Sequence, residues 1–179
     1  KFSLIGKVLG FPRVSLKDED AFEIFNHYRS SAWKLRGVDE PLRSMREAGN
    51  KNLFAYRYDW DDHRRFVVGN FRKLIGAAHA TEIPLLTGNN KLVGDFGFLI
   101  YPRGPSKRFT SKNMIKFWAN FAKYGVPGQS TNSVEWTSYI SSNKSESNFI
   151  ILDNRSNLKM SKDNTSFNSL VTDLYKENK

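Results

Sequence analysis

The feature that most constrains this chain is an aromatic-rich run that ends in acidic residues. Residues 53–60 read LFAYRYDW, and Asp59, Asp61 and Asp62 then break the run. This pattern is typical of a buried β-strand that leads out into a loop. Its apolar residues do not alternate strictly, as expected for a parallel strand that is covered on both faces. The run therefore predicts a strand inside a helix-covered sheet.

A histidine among small residues follows this strand. Gly76, Ala77 and Ala78 precede His79, and Glu82 comes three positions after it. Small neighbours leave an imidazole accessible, which a general base needs if it is to reach a nucleophile. An isolated histidine is more often a buried residue bonded to backbone, so the surrounding motif has to decide its role.

Four segments of the chain together form an ordered pattern. They are residues 76–84 (GAAHATEIP), residues 117–128 (FWANFAKYGVPG), Trp136 with Tyr139, and residues 148–153 (NFIILD). In this order they resemble the catalytic-histidine segment, a helix with its stop, the Trp-x-x-Tyr motif and a late strand of type-B carboxylesterases and cholinesterases. The resemblance runs from about Leu53 to Met160 and extends less closely over residues 22–49.

The resemblance implies an α/β fold, with residues 1–179 forming the C-terminal third of an α/β-hydrolase catalytic domain. It implies a mostly parallel sheet covered by helices, incomplete in this chain. His79 would be the general base of a Ser-His-Glu/Asp triad, so its replacement by Ala in the complete enzyme should abolish turnover. Glu82 would support it, although a role at the start of the next helix is equally open.

The other members of the triad are expected elsewhere. The chain contains no G-x-S-x-G motif and no Gly-rich oxyanion segment, so the serine, the acid and the oxyanion glycines are expected upstream of Lys1. Asp39 and Glu40 are the nearby upstream carboxylates, but their position suits a helix start better. This chain alone is expected to be inactive and poorly soluble, because its strand would lack a neighbour.

The implied activity is hydrolysis of carboxylic esters, with water as the second substrate and with no metal or organic cofactor. The expected partners are a small-molecule ester and the N-terminal part of the same enzyme. The alternative is a noncatalytic cholinesterase-like binding or adhesion protein, which keeps the fold and loses the triad. Retention of His79 disfavours this alternative only modestly.

The amino-acid composition bears on other functional classes, including nucleic-acid-binding, secreted and membrane proteins. The formal net charge is +10, but Lys and Arg are spread over both halves without a dense run, which does not favour nucleic-acid binding. The absence of cysteine excludes disulfides and thiolate catalysis within the chain. It also favours a cytoplasmic or microbial esterase over a secreted cholinesterase. No apolar run is long enough to span a bilayer.

A rival interpretation treats the acidic cluster after the strand as a metal site. Asp59, Asp61, Asp62 and His63 could ligate a hard cation. Without a second set of ligands, solvated loop charge is the better explanation.

The other elements follow from caps, stops and periodicity. We expect loop or broken helix over residues 2–16, where Gly6, Gly10 and Pro12 interrupt the apolar residues. Helices are expected over residues 18–37 and 39–49, a short helical turn over residues 81–86 and a long loop over residues 89–108. We then expect a helix with a packed apolar face from a cap at Ser111 to Gly125, strands over residues 149–152 and 158–160 joined by a turn over residues 154–157, and a C-terminal helix from Asn164.

Overall fold

The computed structural model of the protein describes residues 2–8, 11–66, 69–94, 97–140 and 146–163, together with residues 166, 169 and 172. The predicted helix from Asn164 lies almost entirely outside them. The helices are α1 (Glu19–Lys34), α2 (Glu40–Glu47), α3 (Phe71–Ile75), α4 (Ile83–Thr87), α5 (Gly97–Ile100) and α6 (Pro105–Tyr124). The strands are β1 (Phe2–Val8), β2 (Phe11–Leu16), β3 (Tyr56–Tyr58), β4 (Arg65–Phe66), β5 (Gly69–Asn70), β6 (Ser147–Leu152) and β7 (Lys159–Asp163).

A small mixed sheet organises the fold, in the strand order β3-β6-β7. β3 pairs with β6 in parallel, and β6 pairs with β7 antiparallel. The strand, turn and return strand predicted near the C-terminus are confirmed. The helices and this sheet fit the α/β class, but the described sheet is mixed where a mostly parallel one was expected.

The strand predicted over residues 53–60 forms regular β-pairing over only part of its length. Only Tyr56–Tyr58 forms β3, in register with residues 150–152 of β6. On either side of β3 the run is held by further hydrogen bonds to its backbone. The Leu53 carbonyl accepts from the Tyr139 N–H at 2.7 Å, and the Asp59 N–H donates to the Leu152 carbonyl at 3.0 Å.

The core lies on both faces of β6. Ile150 and Leu152 are buried on one face with Met114 and Phe117 of α6. Phe149 and Ile151 are buried in a second cluster, which also contains Leu53, Ala55 and Tyr139. Because successive residues of a strand point to opposite faces, β6 is a strand buried on both sides. Burial on both faces was predicted instead for residues 53–60, and this was wrong for β3, an edge strand of the described sheet in which Tyr56 and Arg57 are exposed.

The two predicted N-terminal helices are confirmed. The Asp18 carboxylate caps α1 by accepting the Ala21 N–H at 3.0 Å. α1 then continues through a π-helical turn, Leu35–Asp39, into α2, which has Pro41 in its first turn. No residue of α1 is buried among the described residues, although its sequence is amphipathic.

The N-terminal segment is a β-hairpin, so the expectation of a loop or broken helix there was wrong. β1 and β2 pair antiparallel, with Phe2 opposite Leu16 and Val8 opposite Phe11. Gly6 and Pro12 had suggested a broken segment. The pairing accommodates both, since its register shifts between Leu4 and Lys7 and Pro12 lies near the hairpin end, where a missing N–H removes little of the ladder.

The long helix α6 begins earlier than predicted. It starts at Pro105, because proline suits a first turn where its missing N–H has no intrahelical partner. Ser111 is therefore not a cap; its hydroxyl donates to the Leu85 carbonyl at 2.5 Å. The predicted stop is confirmed by Gly125, at φ +73°. Of the predicted apolar face, Phe121 is exposed, as is Ile115.

Residues 89–108 are not one long loop. They contain a 3-10 turn, Asn90–Val93, the short helix α5 and the first turn of α6. The short helical turn predicted after His79 is confirmed as α4, which ends at Gly88 with φ +70°.

Candidate active site

His79 lies in a turn between α3 and α4, which we call the histidine loop (residues 76–82). Gly76 begins this loop with φ +56° and ψ −150°, a conformation that favours glycine. Ala80 follows His79 with φ +68°, which is uncommon for a residue with a Cβ atom. The Thr81 N–H and hydroxyl both donate to the Ala78 carbonyl, at 3.1 and 2.6 Å. The loop is therefore a defined turn with a left-handed residue beside the histidine.

The His79 side chain is exposed, and its aromatic neighbour among the described residues is Trp33. Its ring lies against the indole of Trp33 in α1, with the ring centroids 4.9 Å apart. Among the described residues, no carboxylate or serine hydroxyl makes a hydrogen bond with the His79 imidazole. The ring is therefore accessible to solvent.

Two tyrosines hold the end of the histidine loop. The hydroxyls of Tyr101 and Tyr58 both donate to the Thr81 carbonyl, at 3.0 and 3.4 Å. Burial, together with the Glu82 charge, raises the pKa of Tyr101 to about 12. Burial also raises the pKa of Tyr58, with smaller contributions from Tyr101 and Glu82. Both phenols therefore stay protonated near neutral pH and remain donors.

The charge of Glu82 affects the pKa values of nearby tyrosines. Its half-buried side chain makes no capping hydrogen bond at the start of α4. Nor does it make one with His79 among the described residues. Its negative charge instead contributes to the raised pKa values of Tyr56, Tyr58 and Tyr101. A supporting role for Glu82 beside His79 stays a prediction.

A second histidine, which the sequence did not single out for this site, contacts the start of the histidine loop. His63 is buried, with only 6% of its surface exposed. Its Nε2 lies 2.9 Å from the Gly76 carbonyl oxygen, and its Nδ1 lies 3.3 Å from the Ile100 carbonyl oxygen. Both contacts are to backbone far along the chain, so no local motif marks them.

The acidic cluster has partners other than a metal. Asp59 pairs with Arg57 at 2.7 Å, Asp61 accepts from Arg72 at 2.9 Å, and Asp62 accepts from the Ser106 hydroxyl. Within the part of the chain that the structure describes, no group of three or more His, Cys, Asp and Glu side chains is arranged to hold a metal ion. These contacts favour a structural role for the cluster.

Asp39, the buried carboxylate upstream of His79, also has a structural environment. Its carboxylate accepts from Lys34 Nζ at 2.7 Å and from the Tyr139 hydroxyl at 3.3 Å. Lys34 donates in addition to Asp163 of β7. Burial lowers the pKa of Lys34, but its hydrogen bonds with Asp163 and Asp39 outweigh this and raise it. Lys34 thus joins Asp39 and the end of α1 to β7 of the sheet.

The sequence of the chain matches a known protein family. The model of the carboxylesterase family matches residues 28–169, more than half of the chain. The chain belongs to the carboxylesterase family. The match includes the histidine loop, both tyrosines and His63. It ends beyond β7, so it also includes the whole mixed sheet.

Other comparisons are less extensive. A solved structure of a PNB esterase is similar to this chain at 24% sequence identity and a TM-score of 0.44, over 66% of this chain and 21% of that one. The chain thus corresponds to about a fifth of that esterase. No match is found among curated proteins. Among the described residues, no helix has both the length and the apolar character needed to cross a membrane.

Proposed function

We propose that residues 1–179 are the C-terminal part of an α/β-hydrolase catalytic domain that hydrolyses carboxylic esters. In this proposal His79 is the general base of a Ser-His-Glu/Asp triad, and Glu82 is a neighbour that supports it. The complete sheet would be mostly parallel, with β3 and β6 as two of its parallel strands. No metal or organic cofactor enters the proposed reaction.

The observation that carries the proposal is the placement of His79 in a chain of this family. Its ring is exposed, while the backbone of its loop is held at both ends, through the carbonyls of Gly76 and Thr81. A general base needs both properties, since it must reach the proton it removes and must be held in position to do so.

The reaction follows from the chemistry of an imidazole beside a serine. Neutral His79 removes the proton from the serine hydroxyl while the serine oxygen attacks the ester carbonyl. The protonated ring then returns that proton to the leaving alcohol, which leaves an acyl-serine. Water, deprotonated by the same ring, attacks the acyl group, and the ring returns this proton to the serine oxygen as the carboxylic acid leaves. The triad carboxylate orients the imidazole and stabilises its charged form.

The serine, the triad acid and the oxyanion donors are proposed to come from the remaining N-terminal part of the same enzyme. Exposed apolar side chains on α1 support this partner. Ile24, Phe25 and Trp33 expose 49%, 60% and 55% of their surface. Apolar side chains at helical spacing stabilise a fold when another element covers them. We propose that this chain, expressed alone, is inactive and poorly soluble for the same reason.

A second candidate function is a noncatalytic cholinesterase-like binding or adhesion protein. Under both candidates the His79 ring has no carboxylate or serine hydroxyl bonded to it among the described residues. The two candidates differ in whether a reactive serine exists in the complete polypeptide.

A phosphonate probe that reacts with activated serines separates these candidates. We would treat the complete enzyme with the probe and measure its intact mass. An esterase gains one adduct, and His79→Ala slows labelling at least roughly 100-fold because the general base is lost. His27→Ala, a change to an exposed histidine on α1, serves as the control and should label like the wild type. Absence of labelling and of ester turnover in the wild type would support the noncatalytic protein.

A further inference from the structure

The proposed reaction uses one histidine, and His63 is a second, buried one with a specific environment. Its ring packs edge-on against Trp60 and Tyr101, at centroid distances of 5.0 and 5.2 Å. Since aromatic faces fill the space around it, the ring has little freedom to turn. Its two nitrogens can therefore be assigned to fixed partners.

The two nitrogens of His63 face two carbonyl oxygens, and a neutral imidazole has one N–H to donate. The Ile100 carbonyl, 3.3 Å from Nδ1, also accepts the Arg64 N–H at 3.4 Å. The Gly76 carbonyl, 2.9 Å from Nε2, has no other donor among the described residues. Because the contact from Nε2 is shorter and the Ile100 carbonyl already has a donor, the proton belongs on Nε2.

The surroundings of His63 support a neutral ring. Burial lowers its pKa, and this effect exceeds the opposite effects of the two carbonyl contacts and of the nearby Asp61 and Asp62 charges. Asp61 is itself paired with Arg72 of α3, and the facing phenol of Tyr101 stays protonated. Near neutral pH the ring therefore has one N–H to place.

We propose that His63 is a positioning residue for His79. The neutral His63 ring carries its proton on Nε2, and this N–H donates a hydrogen bond to the Gly76 carbonyl. The hydrogen bond fixes the start of the histidine loop. This inference rests on the proposed function of His79 as a general base. Gly76 is three residues before His79, and its φ of +56° and ψ of −150° set where its carbonyl points. Losing the donor would let the loop move, and a displacement of about 1 Å can reduce turnover roughly 100-fold.

Amide isosteres of the two ring nitrogens test the proposal in the complete enzyme. In His63→Gln the amide nitrogen of the new side chain takes the place of Nε2, and in His63→Asn it takes the place of Nδ1. His63→Phe keeps an aromatic ring but has no hydrogen-bond donor. We expect His63→Gln to retain kcat within about threefold, and His63→Asn and His63→Phe to lose about tenfold or more in kcat with little change in KM. His27→Gln, at an exposed position, is the matched control. Equal kcat per folded molecule in all three His63 variants would overturn the proposal.

Two measurements are independent of ester turnover. Nitrogen-15 NMR of the wild-type ring should show His63 protonated on Nε2 and bare on Nδ1; the opposite tautomer would overturn the proposal. Hydrogen exchange of the Thr81 and Ile83 amides, which bond within the loop and into α4, should accelerate in His63→Asn and not in His63→Gln. Equal protection in the two variants would overturn it.

These measurements also separate this proposal from the proposed function. If wild-type enzyme shows no His79-dependent hydrolysis while the tautomer and exchange results are as expected, the esterase assignment fails and the contact between His63 and the loop stands. If His79→Ala abolishes hydrolysis while His63→Asn changes neither kcat nor exchange, the positioning role of His63 fails and the esterase assignment stands.

Discussion

The indole ring of Trp33 lies against the imidazole ring of His79, with centroids 4.9 Å apart and planes at 45°. This contact links α1 to the histidine loop across a long stretch of sequence. A second contact joins α1 to α3, the helix just before the histidine loop, through the ion pair of Lys73 with Glu19 at 2.6 Å. The orientation of the His79 ring thus depends on a helix that has no buried residue among those described.

Replacing Trp33 should therefore reduce catalysis in the complete enzyme. An aromatic pair contributes about 1 kcal/mol beyond its buried area, which corresponds to roughly fivefold in rate. We expect Trp33→Ala to lower kcat about fivefold, and Trp33→Phe to keep most of it because an aromatic face remains. Steady-state kinetics on a soluble ester measures both. Equal kcat in the wild type and Trp33→Ala would show that the contact does not orient the general base.

The left-handed backbone conformation of Ala80 leads to a separate prediction about the free energy of unfolding. At φ +68°, a Cβ atom costs about 1–2 kcal/mol, while glycine adopts this conformation freely but loses more entropy on folding. Ala80→Gly should thus raise the free energy of unfolding by about 0.5–1 kcal/mol, and Ala80→Val should lower it. Urea denaturation measures both changes. If Ala80→Gly destabilises the protein, the loop does not hold this conformation in solution.

His63 should make stability depend on pH. Because burial lowers its pKa in the folded state below the ordinary value of 6.5, the unfolded chain binds a proton at a higher pH than the folded one. The contribution is therefore complete above about pH 6.5 and is lost as the pH falls through the lowered folded-state value. Urea denaturation from about pH 8 to about pH 5 should show a smaller decline for His63→Gln than for wild type.

His27→Gln controls for the general effect of removing a histidine, since His27 is exposed. Its decline with pH should parallel that of the wild type. If His63→Gln also parallels the wild type, His63 is not held neutral by burial.

The ion pairs around Lys34 predict a structural effect away from His79. Lys34→Met leaves the buried Asp39 carboxylate with Tyr139 as its remaining side-chain donor among the described residues. An uncompensated buried charge of this kind should lower the free energy of unfolding by about 2 kcal/mol. Lys116→Met, on the exposed side of α6, is the matched control and should change it by less than about 0.5 kcal/mol. Similar effects of the two changes would mean that Lys34 does not compensate Asp39.

Local signals predicted the helices that have clear caps and stops. Asp18 at the start of α1, Pro41 in the first turn of α2 and Gly125 after α6 each act through neighbouring backbone, so their effects can be recognised in sequence. The start of α6 was missed because Ser111 was taken as the cap, while Pro105 already supplies a favourable first turn. The hairpin over residues 2–16 was missed because Gly6 and Pro12 can end an element or lie within an irregular pairing.

The candidate site was predicted only in part, because some of its contacts leave no signal in the sequence. His79 and Glu82 stand in a recognisable segment, and their catalytic roles stay predictions. His63 entered the sequence analysis solely as a metal-ligand candidate beside Asp61 and Asp62. Its partners are the carbonyls of Gly76 and Ile100, and a backbone carbonyl has no residue type by which sequence could reveal it.

The most direct test of the central claim is the ester turnover of His79→Ala in the complete enzyme, compared with wild type under the same conditions and with thermal unfolding as a check on folding. If His79 is the general base, kcat should fall by about 10⁴-fold or more while the variant unfolds cooperatively at a similar temperature. A folded variant that retains most of its turnover would contradict the assignment of this chain as the part that supplies the catalytic histidine.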